Sequence, residues 1–247
     1  MQPYTDETLI LGRRNYGEAD LVLTVLTKEH GKITALAKGI RKSTSKLGQG
    51  TDLFSYSKLQ LTPGKGEMFI LTGAQRVGGA IEVKDLLHMT ALSTIAEGIE
   101  RMTEGGMGLD STVFSLVQRS FENGSKEKSP YKTVIWFFQR LFSAMGIGLQ
   151  VFECVDCGEK LQPVPALLDI QEGGVLCQHC RGTEGVAVSL NSLKALRLLA
   201  KKDDEVFMKL VLDKKELLEL LYVCNQQVRI HSGRKLLAFP KLIELLG

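Results

Sequence analysis

An α+β architecture, with an N-terminal OB-type β-barrel followed by a helical bundle that carries an inserted four-cysteine zinc module, is predicted by three features of the 247-residue sequence. Five short runs rich in Val, Ile, Leu and Thr occupy the N-terminal third. Near residue 81 the apolar period lengthens from two to about 3.6. Two Cys-x-x-Cys pairs then interrupt the helical pattern before it resumes. The expected division is an OB-fold domain over 1–80, a first helical part over 81–151, the zinc module over 152–186 and a second helical part over 187–247.

The five strands are expected at 8–14, 20–28, 32–38, 53–61 and 67–77. Asn15-Tyr16-Gly17, His30-Gly31 and Pro63-Gly64-Lys65-Gly66 supply the turns between them. Between the third and fourth runs, Ser43 is placed to cap a short helix that Gly48 and Gly50 would break. This layout fits an OB barrel, and the strand count also fits an SH3-like barrel. Leu86, Leu87, Met89, Thr90, Leu92 and Ile95 are spaced to form one helix face. Pro130 opens a heavily apolar helix containing Val134, Ile135, Phe138, Leu141, Phe142 and Met145, expected at the centre of its bundle. Ser189 and Ser192 are candidate caps for LKALRLL, and LLELLYVCNQQVRIHSG is a later amphipathic run.

The cysteines carry the most specific signal. Cys154-Val-Asp-Cys157 and Cys177-Gln-His-Cys180 have the spacing of a four-thiolate structural zinc site holding one ion. Two knuckles aimed at one point close the coordination shell, which leaves no position for a catalytic water. His179, inside the second pair, is a weaker competing ligand, and Cys224 reads as a core thiol. Asp203-Asp204, in KKDDE, reads as a solvated helix start. No phosphate loop, G-x-G-x-x-G, G-x-S-x-G, H-E-x-x-H or H-x-E motif is present, so no catalytic residue is assigned and an enzyme is not expected.

With 31 basic and 28 acidic residues, the net charge of +3 is too small to imply a partner by itself. Its distribution is more informative. Lys28, Lys32, Lys38, Arg41, Lys42 and Lys46 face the single acid Glu29, and the C-terminal end is basic again. Lys38, Arg41, Lys42 and Lys46 are the candidate DNA contacts, with Arg229, Arg234 and Lys235 as a second group. Tyr4, Tyr16, Phe54, Tyr56 and Phe69 are the aromatics available for stacking in the first domain, so binding is expected to be electrostatic and sequence-tolerant. The opening MQPYTDETL lacks the pattern of a secretory signal, and no run approaches the about 20 apolar residues of a spanning helix. A cytoplasmic, nucleoid-associated location without membrane contact is expected.

TLILGRRNYGEADLVLTVLTKEHGKITALAKGIRKSTSKLG, FFQRLFSAMGIG, the CVDC and CQHC pairs and the closing IHSGRKLLAF follow one another in an order that resembles the bacterial RecO family of recombination mediators. TDLFSY departs from the Leu-x-Pro-Phe form expected after the basic loop. The resemblance implies an OB domain, zinc at the four cysteines, and binding to single- and double-stranded DNA through Lys38, Arg41, Lys42 and Lys46. It also implies annealing of complementary strands and loading of RecA with the partner RecR. A further implied partner is the acidic C-terminal tail of the single-strand-binding protein, for which Lys132 and Arg140 are the candidate contacts. The alternative is a zinc-stabilised protein-interaction adaptor without direct annealing.

Overall fold

The computed structural model describes residues 2–43, 45–64, 66–103, 111–180, 182 and 185–247. Two compact units are present, Met1–Lys126 and Glu127–Gly247. In the first, strands β1 (Tyr4–Tyr16), β2 (Asp20–Thr27), β3 (Gly31–Ala37), β4 (Tyr56–Pro63) and β5 (Met68–Arg76) close into a barrel of order β1-β2-β3-β5-β4. The closing pair β3 and β5 is parallel, and the other pairs are antiparallel. Alternate residues Leu21, Leu23 and Val25 point inward with Ile10, Ala35, Ala37, Leu59, Leu61 and Leu71, while Val22 and Leu26 are buried on the other face of β2, which is why that strand reads as a nearly continuous apolar run. Lys65, expected in the β4–β5 loop, lies outside the described residues.

Two local features depart from expectation. β1 is longer than the expected 8–14, because its polar first half is held by backbone pairing to β4 while its second half pairs with β2. A register shift between Ile10 and Gly12 lets the strand serve both neighbours. The expected helix capped by Ser43 is instead a set of turns leading to a 3-10 turn over Gly48–Gly50. The glycines make this turn rather than end one: a Cβ on Gly50 would lie 2.8 Å from Ala74, so only glycine lets the loop touch β5.

Helices α1 (Leu86–Met102) and α2 (Ser111–Lys126) belong to the same compact unit as the barrel. The outside of the barrel is the reason. Phe54 packs tilted against Phe121, with ring centroids 5.1 Å apart, and Tyr56 meets Phe114 edge-on at 6.1 Å. The α1 face is also rotated relative to its apolar spacing: Leu86 and Met89 are exposed while His88 and Thr94 are buried. Asp85 explains this, because its Oδ1 caps the His88 N–H at 2.9 Å and lies 2.7 Å from the imidazole, so the buried ring is satisfied locally.

The second unit is built on α3 (Tyr131–Ala144), which is buried on nearly every side and packs against α4 (Leu190–Ala200) and α6 (Lys214–Ser232). The expected members Val134, Ile135, Phe138, Leu141 and Phe142 are all inside. Ser189 caps α4 through the Ser192 N–H. Asp213 and Glu216 form a reciprocal capping box for α6. Short helices α5 (Asp204–Lys209) and α7 (Phe239–Glu244) complete the unit. Among the described residues, no helix is long and apolar enough to cross a membrane.

Candidate metal centre and nucleic-acid interface

The two Cys-x-x-Cys pairs are carried by a small sheet that the sequence reading missed, with β6 (Ala166–Asp169), β7 (Gly174–Leu176) and β8 (Val186–Val188) in the order β7-β6-β8. Each strand has three or four residues, too few to display a period. At the first knuckle the Gly158 N–H donates to Cys154 O at 2.9 Å, and Gly158 adopts the left-handed φ of 74° that closes the turn. Gly174 brings the second knuckle over it: a Cβ there would stand 2.4 Å from Gln150 O. β7 thereby delivers Cys177 to Cys154, whose sulfur accepts the Cys177 N–H at 3.3 Å.

All four sulfurs lie within 4.8 Å of one another, and Cys157 Sγ is 3.7 Å from Cys177 Sγ. A tetrahedron with metal–sulfur bonds of about 2.3 Å has edges of about 3.8 Å, so the donor set fits a closed thiolate site for a metal ion. His179 is exposed and stands outside this cluster. Burial opposes ionisation of Cys154, but the N–H groups of Cys157, Cys177 and Asp156 outweigh it and bring its thiol down to about 6. Cys180 is pushed well up, first by the Asp156 carboxylate and then by the neighbouring sulfurs. The Cys154 thiolate therefore forms readily, and metal binding at such a site releases the protons of its thiol ligands. Cys224 is a separate buried thiol in α6, as expected.

Lys38, Arg41, Lys42 and Lys46 are all exposed on the loop between β3 and β4, and no described ion pair engages them. The loop is held beside the β1–β2 hairpin, since the Gly39 N–H donates to Asp20 Oδ1 at 2.6 Å and the Arg41 N–H to Ala19 O at 3.0 Å. That contact gathers Arg14 and the exposed Tyr16 at the same end of the barrel. The sequence reading did not single out Arg13 and Arg14 of GRRNYG, which lie on the β1–β2 hairpin whose turn residue Ala19 accepts the Arg41 N–H. Of the candidate stacking residues, Phe54 is buried, Tyr56 packs on Phe114, and Tyr4 lies edge-on to Phe69 at 5.7 Å, which leaves Tyr16 most exposed.

Arg229 is exposed in the last turn of α6, and Arg234 and Lys235 are exposed just past its left-handed cap, Gly233. Lys132 and Arg140 are half-buried on α3 and engaged within the chain. Lys132 donates to Met208 O and to Leu210 O, the latter at 3.1 Å, and Arg140 pairs with Asp204. Asp204 is thus an internal partner rather than the solvated helix start that KKDDE suggests.

A closed five-stranded OB barrel with a cationic loop, joined in one chain to helices and a four-thiolate metal site, defines a class of nucleic-acid-handling proteins. Residues 1–79 match the family model described as recombination protein O N terminal, and residues 83–238 match recombination protein O C terminal. A protein of Heliobacterium modesticaldum named DNA repair protein RecO is 31% identical over 100% of this chain and 91% of its own length. Those of the same name from Dehalococcoides mccartyi and Frankia casuarinae are 27% and 29% identical, covering 92% and 98% of this chain and 89% and 99% of their own. The chain belongs to the RecO family of DNA repair proteins.

Proposed function

We propose that the protein is a recombination mediator without catalytic activity of its own. It binds single- and double-stranded DNA, anneals complementary strands and, with RecR, helps load RecA onto DNA coated by single-strand-binding protein. The observation that carries this reading is the exposed, unpaired cation set Lys38, Arg41, Lys42 and Lys46 on the barrel of a RecO-family chain. Phosphate contacts of this kind lower the repulsion between two strands while leaving base edges free to pair. Arg229, Arg234 and Lys235 are a second DNA surface in this reading. The metal is one zinc ion held by Cys154, Cys157, Cys177 and Cys180, and its part is to brace the second unit. The acidic tail of the single-strand-binding protein docks at α3 by exchanging its carboxylates for the present partners of Lys132 and Arg140. The protein works in the cytoplasm, on the nucleoid.

The test is annealing of two complementary oligonucleotides, each precoated with cognate single-strand-binding protein, without nucleotide and at two salt concentrations. Fast, salt-sensitive annealing is expected. No acceleration at either salt by folded, metal-loaded protein would overturn the mediator reading in favour of an adaptor.

A further inference from the structure

At the end of the barrel that carries the basic loop, a carboxylate occupies a place suited to a phosphate. Asp52 follows the Gly48–Gly50 turn and lies between two arginines from different strands. Arg13 of β1 donates from Nη1 to Asp52 Oδ1 at 3.5 Å, and Arg76 of β5 donates to Oδ2. Both arginines rise from paired strand backbone: Arg13 pairs with Leu23 on β2, and Arg76 with Ser57 at the last rung of β4 and β5. The acid, by contrast, stands outside any strand, and its side chain is 53% exposed against 34% for Arg13 and 26% for Arg76. An anion can therefore approach from solvent, and an exposed ion pair of this kind contributes little to stability. A phosphodiester offers the same pair of acceptor oxygens as a carboxylate.

We propose that Arg13 and Arg76 form a backbone-phosphate subsite for single-stranded DNA, closed in the free protein by Asp52, which yields its place to the incoming strand. This rests on the DNA-binding reading above and adds to it a built-in competitor. Lys46 precedes the 3-10 turn and Asp52 follows it, while Gly50 seats the turn on β5, so the basic loop and the fork are parts of one surface. A protein that must pass strands on gains from such a competitor, because every contact that Asp52 can reclaim speeds release.

The test is anisotropy of a labelled oligothymidine with wild type, Asp52→Asn, the double variant Arg13→Gln/Arg76→Gln, and the triple variant. Asp52→Asn is expected to tighten binding about fivefold near 50 mM salt and to steepen the salt slope by about 0.7, one single-strand phosphate contact. In the double-variant background the same substitution is expected to change nothing, and Asp52→Glu should bind like wild type. Unchanged affinity and slope for Asp52→Asn, or equal tightening in both backgrounds, overturns the subsite. A parallel arm with Lys38→Glu/Arg41→Glu separates the two readings. If it abolishes binding while Asp52→Asn is silent, DNA binding stands and the subsite falls; if neither variant moves affinity, both fall. Thermal melts establish that each variant is folded, and Asp52→Ser replaces Asp52→Asn if the amide disturbs the turn.

Discussion

Neutralising the basic loop gives the sharpest test of the proposed DNA surface, because the expected effect follows from the number of free cations. Lys38, Arg41, Lys42 and Lys46 are four exposed charges outside every described ion pair. If each neutralises one phosphate of a single strand, each contributes about 0.7 to the slope of log affinity against log salt, or about 2.8 together. Between 50 and 200 mM salt that share alone weakens binding about 50-fold. Substituting all four exposed residues by Gln should shift stability by no more than about 0.5 kcal/mol each. Equilibrium anisotropy across a salt series reads the slope directly, with metal content and thermal melting as controls for folding. A slope that flattens by less than about 1 would refute the assignment and move the principal surface to Arg229, Arg234 and Lys235.

Three other outcomes are expected. Metal-loaded protein should show no fast-reacting thiol toward an aromatic disulfide reagent; chelation should expose four, and Cys224, pushed up to about 12 by burial, should react only on unfolding. A fast thiol in metal-loaded protein would contradict the closed site. Asp204→Ala strips its carboxylate from Arg140, whose side chain is only 12% exposed, and should cost about 1–2 kcal/mol, read as a melting point lower by about 2–8 °C. Burial acts to raise Glu219, but the Ser192 hydroxyl at 2.6 Å and the Ser189 N–H at 2.8 Å hold it below its usual 4.5. The stability it lends is therefore present above that value and lost as pH falls through the folded one, so the melting deficit of Glu219→Gln should shrink below about pH 4. A deficit independent of pH would remove the carboxylate from the account.

Legibility in the sequence followed the range of the interactions. Leu59 and Leu61 alternate with the exposed Lys58 and Gln60 because neighbouring positions on one strand face opposite ways, and Cys154 with Cys157 is a local knuckle, so both could be read within a few residues. The α1 face could not, since Leu86 and Met89 look like core until Asp85 is seen to satisfy a buried His88. Nor could the meeting of Arg13, Asp52 and Arg76, which come from β1, a loop and β5 and adjoin only once the barrel closes. Arg140 and Asp204 show the same limit: each resembles a solvated charge in its own segment, and only the packing of α5 near α3 makes them a pair.

Phe54 ties the barrel to the order of synthesis. It is almost fully buried yet holds a left-handed φ of 65°, a conformation that costs a non-glycine residue about 1–3 kcal/mol. Its compensation is the ring of Phe121, near the end of α2, far down the chain. A nascent chain that has emerged only through β5 holds this strained turn with its aromatic cover still inside the ribosome. The barrel should therefore reach its final form only after α2 is made, and a fragment cut after residue 80 should be a poorer folder than one carried through Lys126.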